Sequence, residues 1–173
     1  ISGGVHKAIE RGESIGCTAI QIFLKNNNRW VSKPYSPEEI AAFPRLLAKS
    51  QIGAVFAHDC YLVNLGSNKD DIFEKSIACM ADDLERCAQI GVPFVVMHPG
   101  SHLGEGEDWG LQRIIEGVNE VFARTPGLKA GIAFETTAGQ GTNLGSKFEH
   151  LATLLAGVRE STRAGVCMDT CHM

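Results

Sequence analysis

The 173 residues are 44% apolar and 21% charged, and they carry a formal net charge of −4. Those proportions exclude disorder, collagen and coiled coil, and they describe one domain with enough apolar material for a core. No apolar run approaches the ~20 residues of a membrane span, and Lys7, Glu10 and Arg11 interrupt the place where a signal peptide would be apolar; a cytoplasmic protein with no membrane partner is expected.

In chain order, residues 1–4 read as part of a βα loop, followed by a helical pattern that carries His6. The first apolar run, 18–24, is short enough for a strand buried on both faces. The segment 25–33 then brings Lys25, Arg29 and Lys33 together with three asparagines and Trp30, a composition suited to clamping phosphates and stacking a base. Ser36, Pro37 and Glu39 form a helix start with an N-cap, a proline in the first turn and a reciprocal glutamate. Pro44 should kink or split the helix that follows.

A second apolar run, 53–58, ends in His58. The stretch from Asp70 places Phe73, Ile77, Met80, Leu84 and Cys87 on one stripe and stops at Gly91. The third run, 93–98, ends in His98 and leads into the tight turn Pro99-Gly100-Ser101-His102. Leu111, Ile114, Ile115, Val118, Val121 and Phe122 mark the next helix. The fourth run, 130–135, ends in Glu135, and a glycine- and amide-rich loop, 136–145, includes Gln140 and Asn143. Ser146 to Glu149 repeats a capping pattern before a helix carrying His150, which is expected at the surface or between helices. The fifth run, 164–169, ends in Asp169.

Alternating helices and apolar strands require a parallel sheet covered by helices, either doubly wound or closed as a (β/α)8 barrel. A barrel of eight units takes ~250 residues, and this chain supplies about five and a half; a single partial barrel domain over 1–173, belonging to a longer protein, is expected.

Four of the five strands end in a possible metal ligand. In a parallel α/β fold the carboxyl ends of the strands share one rim, so His58, His98, Glu135 and Asp169 converge although they are far apart in sequence. Two imidazoles and two carboxylates suit Zn²⁺, Mn²⁺ or Fe²⁺ better than Ca²⁺ or Mg²⁺. His172 adds a fifth donor. His102 is a candidate support behind the ligands, as are the amides Gln140 and Asn143. The six cysteines (17, 60, 79, 87, 167 and 171) lie within apolar patterns and are expected to be reduced and mostly buried. Mild acidity argues against coating DNA non-specifically, but a site holding cations binds a phosphodiester without a basic excess.

The segments His58-Asp59-Cys60-Tyr61-Leu62-Val63-Asn64-Leu65-Gly66, His98-Pro99-Gly100-Ser101-His102, 135–145 and Cys167-Met168-Asp169-Thr170-Cys171-His172, in this order, closely resemble the endonuclease IV family of apurinic/apyrimidinic endonucleases. The resemblance implies a (β/α)8 TIM barrel with three Zn²⁺ (or Mn²⁺) that cuts double-stranded DNA on the 5′ side of an abasic site, in base excision repair, as a monomer when full length. Carried over position by position, it implies that His58 and His98 hold the first zinc, that Glu135 is the catalytic carboxylate bridging the first and second, and that Asp169 holds the second and His172 the third. It further implies that Tyr61 and Leu62 enter the duplex, and that Asn28, Arg29 and Trp30 form a second DNA-contact loop.

Several departures qualify that expectation. The family's early histidine strand and its last four ligands fall outside this chain; Thr136 stands where asparagine is usual, and Asn28 where a longer basic residue occurs. The 173 residues alone are therefore expected to bind at most about one zinc tightly and to cleave little. Two rivals share the pattern: a metal-dependent sugar isomerase or epimerase, which needs a Lys or Glu placed for proton transfer, and a zinc-stabilised fragment that binds damaged DNA without cutting it.

Overall fold

The computed structural model describes residues 3–172. Ile1 and Ser2, at the start of the expected βα loop, lie outside the described residues. Five strands, β1 (Ala19–Phe23), β2 (Ala54–His58), β3 (Phe94–Met97), β5 (Gly131–Glu135) and β7 (Ala164–Cys167), form a parallel sheet in the order β1-β2-β3-β5-β7. Helices α1 (Lys7–Ser14), α2 (Pro37–Leu47), α3 (Asp70–Ile90), α4 (Glu107–Arg124) and α5 (Phe148–Gly157) alternate with the strands. Sequential parallel order with a helix at each crossover is the architecture of a partial TIM barrel.

The helices form where their end signals and apolar stripes agree. At α2, Ser36 Oγ accepts the Glu39 N–H at 3.2 Å while Glu39 Oε2 accepts the Ser36 N–H at 2.9 Å, the reciprocal cap read from the sequence. Pro44 neither splits α2 nor ends it: the helix runs on to Leu47, with buried Phe43 fastening that turn to the core. In α3, Ile77, Met80, Leu84 and Cys87 are buried, and Gly91 closes the helix in the left-handed conformation (φ 75°). Each buried Leu or Ile on these stripes contributes roughly 1.5–3 kcal/mol. The cap expected at Ser146 is absent, since Lys147 occupies the N-cap position of α5 without a side-chain hydrogen bond.

Alternation along the strands divides their side chains between two faces. Ile22, Val55, Ala57, Val95, Met97, Ile132 and Phe134 point outward into one continuous core beneath the helices. Residues of the opposite parity, among them Gln21, Phe56, Val96, Ala133 and Cys167, line a hollow of about 530 Å³ on the concave face. The expectation of strands buried on both faces therefore holds for β5 and for most of β3, but Ala19 and Gln21 of β1 and Phe56 of β2 are exposed. These strands lie towards the sheet edge, where no further strand closes over their inner face among the described residues.

Two short strands escaped the sequence reading. β4 (Gly100–Ser101) and β6 (Asn143–Leu144) pair antiparallel, joining the loop after β3 to the loop after β5. Gly100 has φ 125°, and a Cβ there would lie 2.6 Å from Asn64 Oδ1 and 3.0 Å from the Gly66 nitrogen, so the close approach of β4 to the segment 64–66 requires glycine.

An open apolar hollow flanked by unpaired sheet edges promotes self-association. The 173-residue chain is expected to sediment as concentration-dependent oligomers, and Phe56→Ser with Met168→Ser, which removes two exposed apolar side chains lining the hollow, to shift it towards monomer.

Candidate metal centre

The same parity that lines the hollow carries the candidate ligands to its upper rim. His58 and Glu135 are the last residues of β2 and β5; His98 follows β3 by one residue and Asp169 follows β7 by two. All four continue the inward alternation, which is why strands separated in sequence deliver their polar ends to one place.

Glu135 stands at the centre. Its Oε2 lies 3.2 Å from His58 Nε2 and 3.2 Å from His98 Nε2, while Oε1 lies 3.5 Å from His172 Nδ1. His172 Nδ1 is also 3.5 Å from Asp169 Oδ2. The donors thus fall into two compact groups, His58 with His98 and Glu135, and Glu135 with Asp169 and His172, each drawn within 4.8 Å. Such mixed nitrogen and oxygen sets fit a divalent transition metal, and Glu135 belongs to both. His172, which the resemblance implied for a third ion, here shares its group with Asp169. Neither Cys167 nor Cys171 joins these groups.

Hydrogen bonds behind the donors set their orientation. His58 Nδ1 lies 3.0 Å from both the carbonyl and the carboxylate of the buried Asp59, which directs Nε2 towards Glu135. Thr136 Oγ1 accepts the Asp169 N–H at 2.9 Å, and the Thr136 carbonyl lies 3.0 Å from His172 Nδ1. Asp59 and Thr136 were not singled out as supports from sequence; the signal was their position beside a candidate ligand.

The charges are interdependent. Burial opposes a charged imidazole at His58, but hydrogen bonds to Asp59 and Glu135 outweigh it and push its pKa up to about 10. Burial likewise opposes ionisation of Glu135, yet hydrogen bonds from His58 and His98 hold the carboxyl well below its ordinary range. Hydrogen bonding to Glu135 raises His98 as well.

The remaining candidates are distributed around the rim. Tyr61 is 62% exposed, its ring 5.4 Å from Phe23 and 6.2 Å from His58, and Leu62 beside it is half-buried. The Tyr61 N–H donates to the Asn27 carbonyl at 3.0 Å, so this loop is fastened to the segment holding the exposed Asn28 and Arg29. Trp30 is half-buried along a groove on α3. Asn143 lines a small hollow with Tyr61, Ser101 and His98, and Gln140 is exposed. His102 is engaged within its own loop, Nδ1 accepting the Gly106 N–H at 3.0 Å. His150 bridges helices as expected, accepting the Gly145 N–H and facing Glu107 at 3.3 Å.

Lys25 corrects the reading of 25–33 as a threefold positive clamp. Its ammonium is buried, 2.7 Å from Asp82 Oδ2, 3.0 Å from Asp83 Oδ1 and 3.0 Å from the Cys79 carbonyl. Arg29 and Lys33 are exposed; Lys25 is structural.

A parallel α/β sheet with a histidine–carboxylate cluster at its strand ends defines a TIM-barrel protein with a candidate metal site. The chain belongs to the xylose isomerase-like TIM barrel family, whose model matches residues 9–173. Over its whole length it is 50% identical to a probable endonuclease 4 of Chloroflexus aggregans, of which it spans 60%. The structure of endonuclease IV from Thermus thermophilus superposes with a TM-score of 0.86 at 38% identity, over 99% of this chain and 60% of that one. A D-psicose 3-epimerase at 17% identity and TM-score 0.76, over 99% of this chain and 60% of the other, shares the fold alone. The endonuclease IV resemblance read from the motifs thus extends along the entire chain, which spans about 60% of the length of such relatives.

An imidazole with a raised folded-state pKa stabilises the fold fully below its unfolded value near 6.5, and that contribution disappears as pH climbs through the folded value. In metal-free protein the His58 ring is therefore expected to remain protonated until pH about 10 in an NMR titration. Glu135→Gln should bring that midpoint down, because the hydrogen-bonded anion is gone.

Proposed function

We propose that this chain forms the greater part of a zinc-dependent endonuclease that hydrolyses the DNA phosphodiester 5′ to an abasic site. The observation that carries this reading is the shared carboxylate: Glu135 joins two donor groups at the rim, beside an exposed tyrosine loop.

Cations bound there would supply charge neutralisation on the phosphate and Lewis acidity towards water. His58 and His98 would hold the first ion with Glu135, and Asp169 with His172 and Glu135 would hold a second. Asp59 keeps the His58 ring turned with Nε2 towards Glu135, the orientation in which that nitrogen would serve as a metal donor. Glu135 remains ionised across the physiological range, fixing negative charge where the ions sit. Tyr61 and Leu62 would occupy the gap left where an abasic nucleotide turns out of the helix, a displacement that costs less when no base pair must be broken. Asn28 and Arg29 lie on the adjoining loop for the backbone, with Trp30 behind them.

One requirement of the sugar epimerase alternative, a lysine placed for proton transfer, is not met by Lys25. This rim lysine is locked in ion pairs with Asp82 and Asp83, and its charge is held by them despite burial, which otherwise disfavours it. It is not placed to move a proton to a substrate.

A nicking assay on an abasic duplex tests the reading. Protein carrying this chain at the full length of its relatives is expected to cut 5′ to the lesion with zinc, and Glu135→Gln to lower that rate by more than ~100-fold, beyond the 10–100-fold typical of losing a group behind the ligands. The 173-residue chain is expected to hold at most about one zinc and to nick little; no cutting by the longer protein overturns the proposal. In that longer protein Tyr61→Ala should weaken abasic-duplex binding by about tenfold, as loss of an aromatic contact does, with metal content unchanged. Binding that survives without any cutting would favour the non-catalytic damage binder.

A further inference from the structure

We propose that Cys60 and Cys79 are a modification site: a dithiol pair that hydroperoxides convert reversibly to a disulfide. The two sulfurs lie 3.6 Å apart, and both residues are buried, 3% and 2% exposed. Neither belongs to the metal centre.

The placement favours closure between these partners. Cys79 lies in the middle of α3, and its carbonyl is tied to Lys25 Nζ at 3.0 Å, so its backbone is the fixed side. Cys60 lies in the loop after β2, where its carbonyl accepts the Val63 N–H at 3.1 Å, and a loop turn can yield where a helix does not. A disulfide needs the sulfurs at ~2.05 Å, so they must approach by roughly 1.5 Å, a displacement within reach of side-chain rotation and a small loop shift. A groove of about 230 Å³ lined by Trp30, Lys75, Ala78 and Cys79 runs along the helix side of the pair.

The chemistry balances with a hydroperoxide as oxidant. One thiol gives up its proton and attacks the peroxide oxygen, forming a sulfenic acid and, from hydrogen peroxide, releasing one water. The second thiol attacks that sulfur, the S–S bond forms, and the hydroxyl leaves as a second water. Two thiols are oxidised by two electrons and one peroxide is reduced; an external dithiol reverses the step by exchange. Since Cys60 immediately precedes Tyr61, the covalent tie would bind the exposed tyrosine loop to α3.

Peptide mapping of the folded chain tests this. The metal-free chain is treated with excess hydrogen peroxide, alkylated after unfolding, and digested without reduction. A cross-linked peptide joining Cys60 to Cys79, lighter by two hydrogens and released by dithiothreitol, is expected. In Cys79→Ser the cross-link should vanish and Cys60 should instead be trapped by dimedone. Exposed Cys171 reports whether the oxidant was effective. Oxidised Cys171 alongside a fully alkylatable Cys60 and Cys79 overturns the proposal, as does a disulfide that joins Cys60 to any other cysteine.

Discussion

The arrangement depends on one buried carboxylate. Glu135 ends β5, a strand buried along its whole length, and a charge in such a place is costly unless it is paired. Here it is met by three imidazoles from three other loops or strands, two on one oxygen and one on the other. Convergence on Glu135 both satisfies the buried charge and fixes where β2, β3 and β7 deliver their last side chains. The constraint works because the strands are parallel: a single inward parity carries His58, His98, Glu135 and Asp169 to the same end of the sheet.

The two ends of the sheet have different tasks. Away from the candidate metal centre, Arg163 is buried with its guanidinium bonded to the Ala130 and Thr125 carbonyls and Thr125 Oγ1, and stacked on Phe122 at 4.2 Å. These contacts join chain turns to the core, and a further ion pair to Glu160 at 3.1 Å completes the pairing of the charge. At the opposite rim, His98 is half-exposed and Tyr61 projects outward. That asymmetry of a hydrogen-bonded lower end and a polar, exposed rim is characteristic of barrels whose sites are built on the loops after their strands.

The convergence of the strand-end candidates was legible because it required only two regularities, short apolar runs and a common direction. The helices α3 and α4 were legible for the same reason: their stripes span many turns, so the period is unmistakable. Features built from single long-range contacts were not. Nothing in residues 25–33 reveals that Lys25 folds back onto Asp82 and Asp83, so its charge was assigned to the surface. Two-residue strands such as β4 and β6 carry no periodic signal at all. The same holds for Thr136, which looked like a departure from a motif but hydrogen-bonds the Asp169 segment. The inner faces of β1 and β2 looked core-like because an apolar side chain facing a hollow is indistinguishable in sequence from one facing a helix.

Fastening between loops explains how exposed residues can act at fixed distances from buried ones. Asn64 Oδ1 accepts the Gly66 and Ser101 N–H groups, and its Nδ2 donates to the Ser101 carbonyl, so one side chain joins the tyrosine loop to the loop after His98. Ser101 and Thr142 share a 2.6 Å hydroxyl contact that ties in the glycine-rich loop, and Asn27 joins the segment before α2. Four rim loops are therefore linked to one another independently of any ion. A rim held in this way meets a ligand with its geometry already set, and less of the binding free energy is lost to ordering. The glycine at position 100 permits that rigidity, because any side chain there would push apart the two loops that Asn64 holds together.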